Sequence, residues 1–390
     1  EPIIETKNLT KFFGAMAAVN DVSIKIQAGT LHAIIGPNGA GKTTFFNLLT
    51  HAKAETNAFQ SGKQNANIGL ARVPDGRIDF LAQVYKPKKV TYAQIEVVDI
   101  PGLTRGAGEG KGSGNQFLSN IRQVDCLVHI VRAFRDENVI HSEGSIDIIR
   151  DIENIGTELL LADLQLVETR IDRINNGRKV TKEQVAEREV LEKIRESLEN
   201  EMSLADFNLS EDEEKLLEHL DFLTAKPVII VVNVDDEQLI EGYEQKDEVL
   251  RYCHEKNLPV FEVSAKAEVE INELDDDDRI AFMRELNIKE SGIDLLARAI
   301  YDRLSLISFL TVGEDEVRAW TIKKGTVAKK AAGKIHSDIE RGFIRAEVIS
   351  FDEFKECGSM AKARDLGKLR LEGKDYVVQD GDIISFRFNV

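Results

Sequence analysis

The chain has 390 residues, of which 42% are hydrophobic, and 68 acidic against 51 basic side chains give it a net charge of −17. This length suits two or three domains with ordinary buried cores. The negative charge argues against indiscriminate nucleic-acid binding, because phosphate contacts need cationic surface. No apolar run reaches the roughly 18 residues of a membrane span. The N-terminal residues, EPII, do not resemble a signal peptide.

The cysteines are scattered at positions Cys126, Cys253 and Cys357. They form neither a C-x-x-C pair nor a metal-binding pattern, and an odd count suits a reducing compartment. We therefore expect a soluble, cytoplasmic protein with no membrane partner.

A glycine-rich segment, GPNGAGKT (36–43), lies between an apolar run at 31–35 and a second one at 44–49. This strand–loop–helix context fits the G-x-x-x-x-G-K-[ST] phosphate-binding loop, or P-loop. Its amides surround phosphates, Lys42 reaches the outer phosphates, and Thr43 offers a hydroxyl to Mg²⁺. The predicted nucleotide-binding residues here are Gly36, Asn38, Gly39, Ala40, Gly41, Lys42, Thr43 and Thr44. Lys42 is also a candidate catalytic residue.

Upstream of the P-loop, residues 1–30 contain two strand-like runs, at 3–9 and 19–26. Together with the P-loop, the segment LTKFFGAMAAVNDVSIKIQAGTLHAIIGPNGAGKTT (9–44) resembles the start of an ABC-transporter ATPase. After about residue 50 there is no L-S-G-G-Q signature, no apolar strand that ends in Asp-Glu and no switch histidine. An ABC transport ATPase is thus an interpretation that only residues 1–50 favour.

From about residue 55 onward the chain resembles the YchF/Obg-like ATPases, a branch of the translation-factor GTPases. The segment VVDIPGLTRGAGEGKGSGNQFLSNIRQVDCLVHIVRAF (97–134) carries this resemblance. Asp99 ends an apolar strand, where its carboxylate can hold the Mg²⁺ shell, and Gly102 offers an N–H to the γ-phosphate. Both are candidate catalytic residues. Leu103 replaces the glutamine that orients water in Ras-like enzymes, so the resemblance implies slow hydrolysis.

Two further segments, KPVIIVVNVDD (226–236) and VFEVSAK (260–266), match the base-recognition motifs of this class. Val234 replaces the lysine that stacks on the base, so we expect ATP to bind at least as well as GTP. Asp236 stands where the YchF-like pattern has glutamate and has the length that guanine recognition uses, which leaves GTP open. The predicted base-binding residues are Asn233, Val234, Asp236, Ser264, Ala265 and Lys266.

The segment 137–205 has apolar residues at helical spacing, interrupted by Asn-Asn-Gly at 175–177. This pattern predicts a helical hairpin. It is either a structural arm or, as the resemblance implies, a coiled-coil arm that contacts a partner.

The C-terminal segment, 305–390, changes to short alternating runs that are typical of strands. VRAWTIKKGTVAKKAAGKIHSDIERGFIRAEVI (317–349) and YVVQDGDIISFRFNV (376–390) resemble the TGS domain that ends YchF-like proteins. That domain is a small β-grasp fold associated with RNA and ribosome contact. The most basic stretch lies here, with Lys323, Lys324, Lys329, Lys330 and Lys334. It is either a solvated lysine face or an RNA contact.

One segment departs from the YchF-like pattern. In NAFQSGKQNAN (57–67), Lys63 aligns with the Mg²⁺-binding threonine of the family's first switch segment. This difference favours an alternative to the ATPase interpretation, namely a nucleotide-dependent ribosome- or RNA-binding module with little hydrolysis.

These patterns predict an α/β protein. Residues 1–30 form an ABC-like β-rich extension, 31–136 and 206–304 form a P-loop NTPase domain with a mostly parallel sheet, 137–205 form the helical hairpin, and 305–390 form the β-grasp domain. We expect slow, Mg²⁺-dependent hydrolysis of ATP or GTP by a switch that binds the ribosome or ribosomal RNA through its TGS domain and helical arm. Thr43 and Asp99 would hold the metal. The sequence leaves the oligomeric state open.

Overall fold

The computed structural model describes residues 2–13, 16–27, 30–51, 67–100, 113–141, 143–177 and 179–389. The chain divides into two compact units, one formed by 31–74 and 96–304 and the other by 1–30, 75–95 and 305–390.

None of the helices in the described part of the chain combines the length and apolar character that crossing a membrane requires.

The strands, in chain order, are β1 Pro2–Phe13, β2 Met16–Gln27, β3 Leu31–Ile35, β4 Asn67–Arg72, β5 Lys89–Thr91, β6 Gln94–Asp99, β7 Cys126–Arg132, β8 Val228–Asn233, β9 Val260–Val263, β10 Leu306–Thr311, β11 Glu316–Lys323, β12 Phe343–Ser350, β13 Arg370–Glu372 and β14 Asp382–Phe388.

The helices are α1 Lys42–Thr50, α2 Gly76–Tyr85, α3 Ser113–Arg122, α4 Ile148–Asn175, α5 Lys182–Glu199, α6 Glu211–Leu217, α7 Asp236–Glu241, α8 Lys246–Glu255, α9 Ala265–Glu273, α10 Asp276–Glu285, α11 Gly292–Arg303, α12 Ala328–Ile335, α13 Ser337–Arg341, α14 Phe351–Cys357 and α15 Met360–Asp365. A short 3₁₀ turn covers Leu204–Asp206.

The first unit is built on a sheet with the strand order β4-β6-β3-β7-β8-β9. β3 pairs in parallel with β6 and β7, and β8 pairs in parallel with β7 and β9. β7 is buried along its whole length. Such continuous burial is expected of a parallel strand whose two faces are both covered by helices. The mostly parallel sheet that the sequence predicts is therefore confirmed.

A helical hairpin is the main insertion in this unit. α4 and α5 pack through an apolar cluster that includes Val167, Ile171, Leu191 and Ile194. The side chain of Thr181 accepts a hydrogen bond from the N–H of Gln184, and the side-chain oxygen of Gln184 accepts one from the N–H of Thr181. This reciprocal capping box starts α5. Helices thus form where the apolar periodicity predicts them, with the break at 175–177.

The second unit is built on a sheet with the order β13-β12-β14-β10-β11-β5. β10 and β11 form an antiparallel hairpin, and β14 lies between β10 and β12, parallel to the former and antiparallel to the latter. One face of the sheet packs on α12 through a cluster that contains Phe309, Ala331 and Val348. This is the β-grasp topology that the C-terminal sequence predicts. β1 and β2 form a separate antiparallel pair.

Residues 75–95 belong to this second unit, although they lie in the sequence between strands of the first. β5 pairs in parallel with β11. Ile78 and Leu81 of α2 are fully buried. Arg77 forms an ion pair of 2.7 Å with Asp380, which is 303 positions away in the chain. The sequence-based boundaries assign residues 75–95 to the P-loop NTPase domain, because no local pattern in this segment specifies its distant partners.

Candidate nucleotide-binding site

The P-loop connects β3 to α1. The φ angles of Gly36, Gly39 and Gly41 are 143°, 82° and 98°. Residues other than glycine rarely adopt this region of backbone conformation. Gly41 is the N-cap of α1. Since glycine cannot cap the helix with a side chain, the first N–H groups of α1 are suited to receive an anion. Asn38 and Gly39 are exposed, Ala40 is buried, and Thr44 is half-buried.

The Lys42 side chain folds back beneath this loop. Its Nζ donates to the main-chain oxygens of Gly36 and Pro37, each at 2.9 Å. Burial lowers the pKa of Lys42 to about 8, while the nearby charge of Asp99 acts in the opposite direction. Within the described part of the chain the hydrogen bonds of this buried cation go to neutral carbonyls, which an anionic partner such as a phosphate can replace.

Thr43 and Asp99 meet in front of the loop. The Thr43 hydroxyl donates to Asp99 Oδ2 at 2.8 Å. Burial raises the pKa of Asp99, and the bonds from Thr43 and from the Asn67 side chain, together with the charge of Lys42, oppose that shift. The sequence analysis did not single out Asn67. Its signal is its position at the first residue of β4, the strand next to the one that Asp99 ends.

Asn233, at the end of β8, ties the base-recognition motifs to the P-loop. Its Nδ2 donates to the Ala40 oxygen at 2.9 Å, and its Oδ1 accepts from the Ala265 N–H at 3.1 Å. The side chain is 4% exposed. Asn233 therefore joins three loops that the sequence analysis assigns separately to phosphate and base.

Asp236 lies at the same edge of the sheet. Ser264 Oγ donates to Asp236 Oδ1 at 2.9 Å, and Lys266 Nζ donates to Oδ2 at 3.0 Å. Ser264 is itself fixed, because its Oγ accepts from the Ala267 N–H and caps α9. The ion pair raises the pKa of Lys266. Each oxygen of Asp236 thus accepts a hydrogen bond from a neighbouring side chain.

Two candidates need separate comment. Val234 is only 2% exposed and packs in an apolar cluster with Val131, Ala133 and Ile148. Its side chain therefore contributes to the core and does not present an open surface to a base. Gly102 lies outside the described residues, as do Leu103 and Lys63, so the predictions made for these residues stay predictions.

Two protein-family models match parts of this chain. Residues 32–170 match the family model MMR_HSR1, described as a 50S ribosome-binding GTPase, and residues 306–389 match YchF-GTPase_C, described as a protein of unknown function (DUF933). A Bacillus subtilis protein named "Ribosome-binding ATPase YchF" is 45% identical over 360 residues, which is 92% of this chain and 98% of that protein. The chain belongs to the YchF family.

Other members agree with this assignment. The Escherichia coli O157:H7 YchF, also named a ribosome-binding ATPase, is 43% identical over 361 residues, covering 92% of this chain and 98% of its own. The solved structure of the Schizosaccharomyces pombe YchF GTPase superposes with a TM-score of 0.80 at 33% identity, covering 92% of this chain and 98% of that one. The YchF resemblance stated from the sequence is confirmed. Because the GTPase model begins its match at residue 32, the match includes the P-loop.

One residue beside the site escaped the sequence analysis. Arg132 ends β7 and is 3% exposed, and its guanidinium donates to main-chain oxygens of the loop that follows. The signal was available, since a charged residue that closes the apolar run LVHIV stands at the carboxyl end of a parallel strand, where ligand sites of such sheets form.

Proposed function

We propose that this chain binds ATP, hydrolyses it slowly with Mg²⁺ and acts as a nucleotide-dependent switch on the ribosome in the cytoplasm. The observation that carries the proposal is the convergence of three elements on the P-loop: Lys42 begins α1, while Asp99 and Asn233 end β6 and β8 at the same edge of the parallel sheet. The names of its relatives, ribosome-binding ATPases, support the same function.

The residues present fit a Mg²⁺ ion. Mg²⁺ prefers hard oxygen ligands and commonly takes one or two from the protein, with phosphate and water completing its shell. Thr43 Oγ1 and Asp99 Oδ2, 2.8 Å apart, are such a pair. These two side chains would hold the ion. Once bound, Mg²⁺ would neutralise charge on the β- and γ-phosphates.

The chain's own groups would supply the remaining electrostatic stabilisation. Lys42 would leave the Gly36 and Pro37 oxygens and bind the outer phosphates, together with the amides from Gly39 to Thr43. Gly102 would add an N–H at the γ-phosphate. Leu103 offers no polar group to orient water, so we expect turnover well below roughly 1 s⁻¹, the low end of ordinary enzymes.

The deciding experiment is an equilibrium titration of the full chain with labelled ATP and GTP, with and without Mg²⁺, followed by single-turnover hydrolysis. We expect tight binding that needs Mg²⁺ and a slow single-turnover rate. Absence of triphosphate binding would refute the proposal. Binding with no hydrolysis above background would instead favour the second candidate, a ribosome- or RNA-binding module, which the lysine at position 63 supports.

The ribosomal part of the proposal concerns the C-terminal unit. Lys323, Lys324, Lys329, Lys330 and Lys334 are all exposed, although Lys330 also forms an ion pair with Glu340. Cationic side chains on an acidic protein are suited to phosphate contact. Co-sedimentation of the full chain with ribosomes in the presence of ATP tests this contact. The same measurement on a variant with a truncated helical arm distinguishes binding through the lysines from binding through the arm.

Base choice provides a sharper prediction. Guanine would need both Asp236 oxygens for its N1–H and N2–H donors, and it would compete for them with the Ser264 hydroxyl and the Lys266 ammonium group. Adenine makes no such demand. Replacing Lys266 by alanine should therefore improve GTP binding relative to ATP by about two- to fivefold, since exposed ion pairs contribute up to about 1 kcal/mol. Competition titrations of both nucleotides measure this ratio.

The matched control is Lys246→Ala, which breaks another lysine–carboxylate pair, with Glu262 at 2.7 Å. Its ATP-to-GTP ratio should equal that of the wild type. A Lys266→Ala ratio that stays unchanged or moves toward ATP would contradict the role given to this ion pair.

A further inference from the structure

Residues 133–141, here called the strap, run from the end of β7 to the start of the segment that leads into α4. At their first end the N–H groups of Ala133 and Phe134 donate to the Asn233 oxygen at 2.9 and 3.1 Å. At the other end, His141 Nε2 lies 2.9 Å from Asp151 Oδ2, in a buried pair. The strap is thus attached to the base-recognition motif at one end and to α4 at the other.

Between these attachments the strap lies against the P-loop. A Cβ atom placed on Gly39 would be 3.0 Å from Val139 Cγ1 and 3.1 Å from the Ile140 oxygen. The backbone of Gly39, which belongs to the proposed phosphate cradle, therefore has the strap as its neighbour. Any change in the strap's path would change the space available to this part of the P-loop.

Arg132 fixes the shape of the strap. Its Nε donates to the Phe134 oxygen at 3.1 Å, Nη2 to the Asp136 oxygen at 2.9 Å and Nη1 to the Val139 oxygen at 2.7 Å. The guanidinium carbon also lies 4.4 Å from the centre of the Phe134 ring. A guanidinium presents its donors in a rigid planar fork, so these contacts determine where each carbonyl must lie.

We propose that Arg132 is a positioning residue of the nucleotide site: by holding the strap between Asn233 and Gly39, it sets the affinity for the nucleotide. The inference rests on the proposed function, because it concerns the same site. A purely structural arginine would affect the stability of the fold and leave the affinity of the folded protein unchanged. A positioning arginine changes that affinity as well.

The test is Arg132→Lys in the full chain. Lysine keeps the charge but cannot reach the oxygens of Phe134, Asp136 and Val139 together. We expect the Kd for ATP to rise about tenfold, which corresponds to about 1.4 kcal/mol. KM should rise by a similar factor with a smaller change in kcat. Calorimetric titration and steady-state kinetics measure these values on protein whose folding is checked by circular dichroism.

Two further variants complete the experiment. Arg122→Lys is the matched control, because the Arg122 guanidinium also donates to a main-chain oxygen, that of Asp221, but at the amino end of the sheet. Its Kd should equal that of the wild type. Val139→Ala removes the side chain that lies next to Gly39 while Arg132 and its hydrogen bonds to the strap remain, and its Kd should rise about two- to fivefold.

The outcomes are distinguishable. If the wild type binds no nucleotide, the proposed function fails and this inference fails with it. If the wild type binds and Arg132→Lys, correctly folded, binds equally well, the inference alone is refuted. If Arg132→Lys does not fold, Val139→Ala decides: a raised Kd supports the role of the strap, and an unchanged Kd overturns it.

Discussion

Replacement of Lys42 by alanine is expected to weaken triphosphate binding by at least about 100-fold while the fold stays intact. The loss of roughly 3 kcal/mol is what one charge-assisted contact to phosphate contributes. Among the described residues, the Lys42 ammonium group donates to the Gly36 and Pro37 oxygens of the P-loop, so its removal affects the cradle more than the core. Isothermal calorimetry with ATP and Mg²⁺ measures the effect.

Lys226→Ala is the matched control for this prediction. The Lys226 ammonium also donates to two main-chain oxygens, those of Arg122 and Val124, at 3.1 and 2.6 Å, and burial lowers its pKa as well. It lies at the amino end of the sheet, away from the proposed site. The affinity of the Lys226→Ala variant for ATP should match that of the wild type. If Lys42→Ala bound ATP with the affinity of the wild type and had an unchanged circular dichroism spectrum, the assignment of the site would be refuted.

Gly36→Ala should have the second large effect, on both stability and binding. A Cβ atom at Gly36 would lie 2.1 Å from the main-chain oxygen of Ile130, and the φ angle of 143° is one that alanine rarely adopts. Because the close atom belongs to the backbone of β7, the clash can be relieved only by moving the backbone of β7 or of the P-loop. We expect a destabilisation of about 2–4 kcal/mol and loss of tight nucleotide binding.

Urea denaturation together with nucleotide titration checks this expectation. The control is Gly76→Ala at the start of α2, where no described atom lies within 4 Å of the added Cβ. That variant should be neutral or more stable by about 0.4–1 kcal/mol, because alanine restricts the unfolded chain. A Gly36→Ala protein with the wild-type denaturation midpoint and affinity would mean that the P-loop can relax around the methyl group.

Much of the fold followed from local patterns. The apolar run before the P-loop became β3, and the periodic segment with a break at 175–177 became α4 and α5. The alternating C-terminal runs became β11, β12 and β14. Each of these depends on residues close together in the chain, where side-chain periodicity alone decides which backbone can bury its apolar face.

The candidate site was only partly predictable. The P-loop motif specified Lys42 and Thr43 because the chemistry of phosphate binding requires those residue types at that spacing. The engagement of Asp236 by Lys266 and the burial of Val234 were not predictable, since a motif names a residue type and not its neighbours. Arg132 could have been noticed as the charged residue that closes an apolar run, but its contacts could not be predicted, because they depend on how the strap folds back toward the end of β7.

By itself, the sequence determined the class of this protein: a P-loop NTPase sheet, a helical hairpin and a β-grasp domain, in that order and with YchF-type motifs. Only the tertiary structure decided which distant segments complete each unit. Residues 75–95 interrupt the first unit in sequence and belong to the second, where β5 pairs with β11 and Arg77 forms an ion pair with Asp380. Such pairings depend on contacts between residues that are hundreds of positions apart in the chain. Local sequence patterns do not specify which distant residue each side chain will contact.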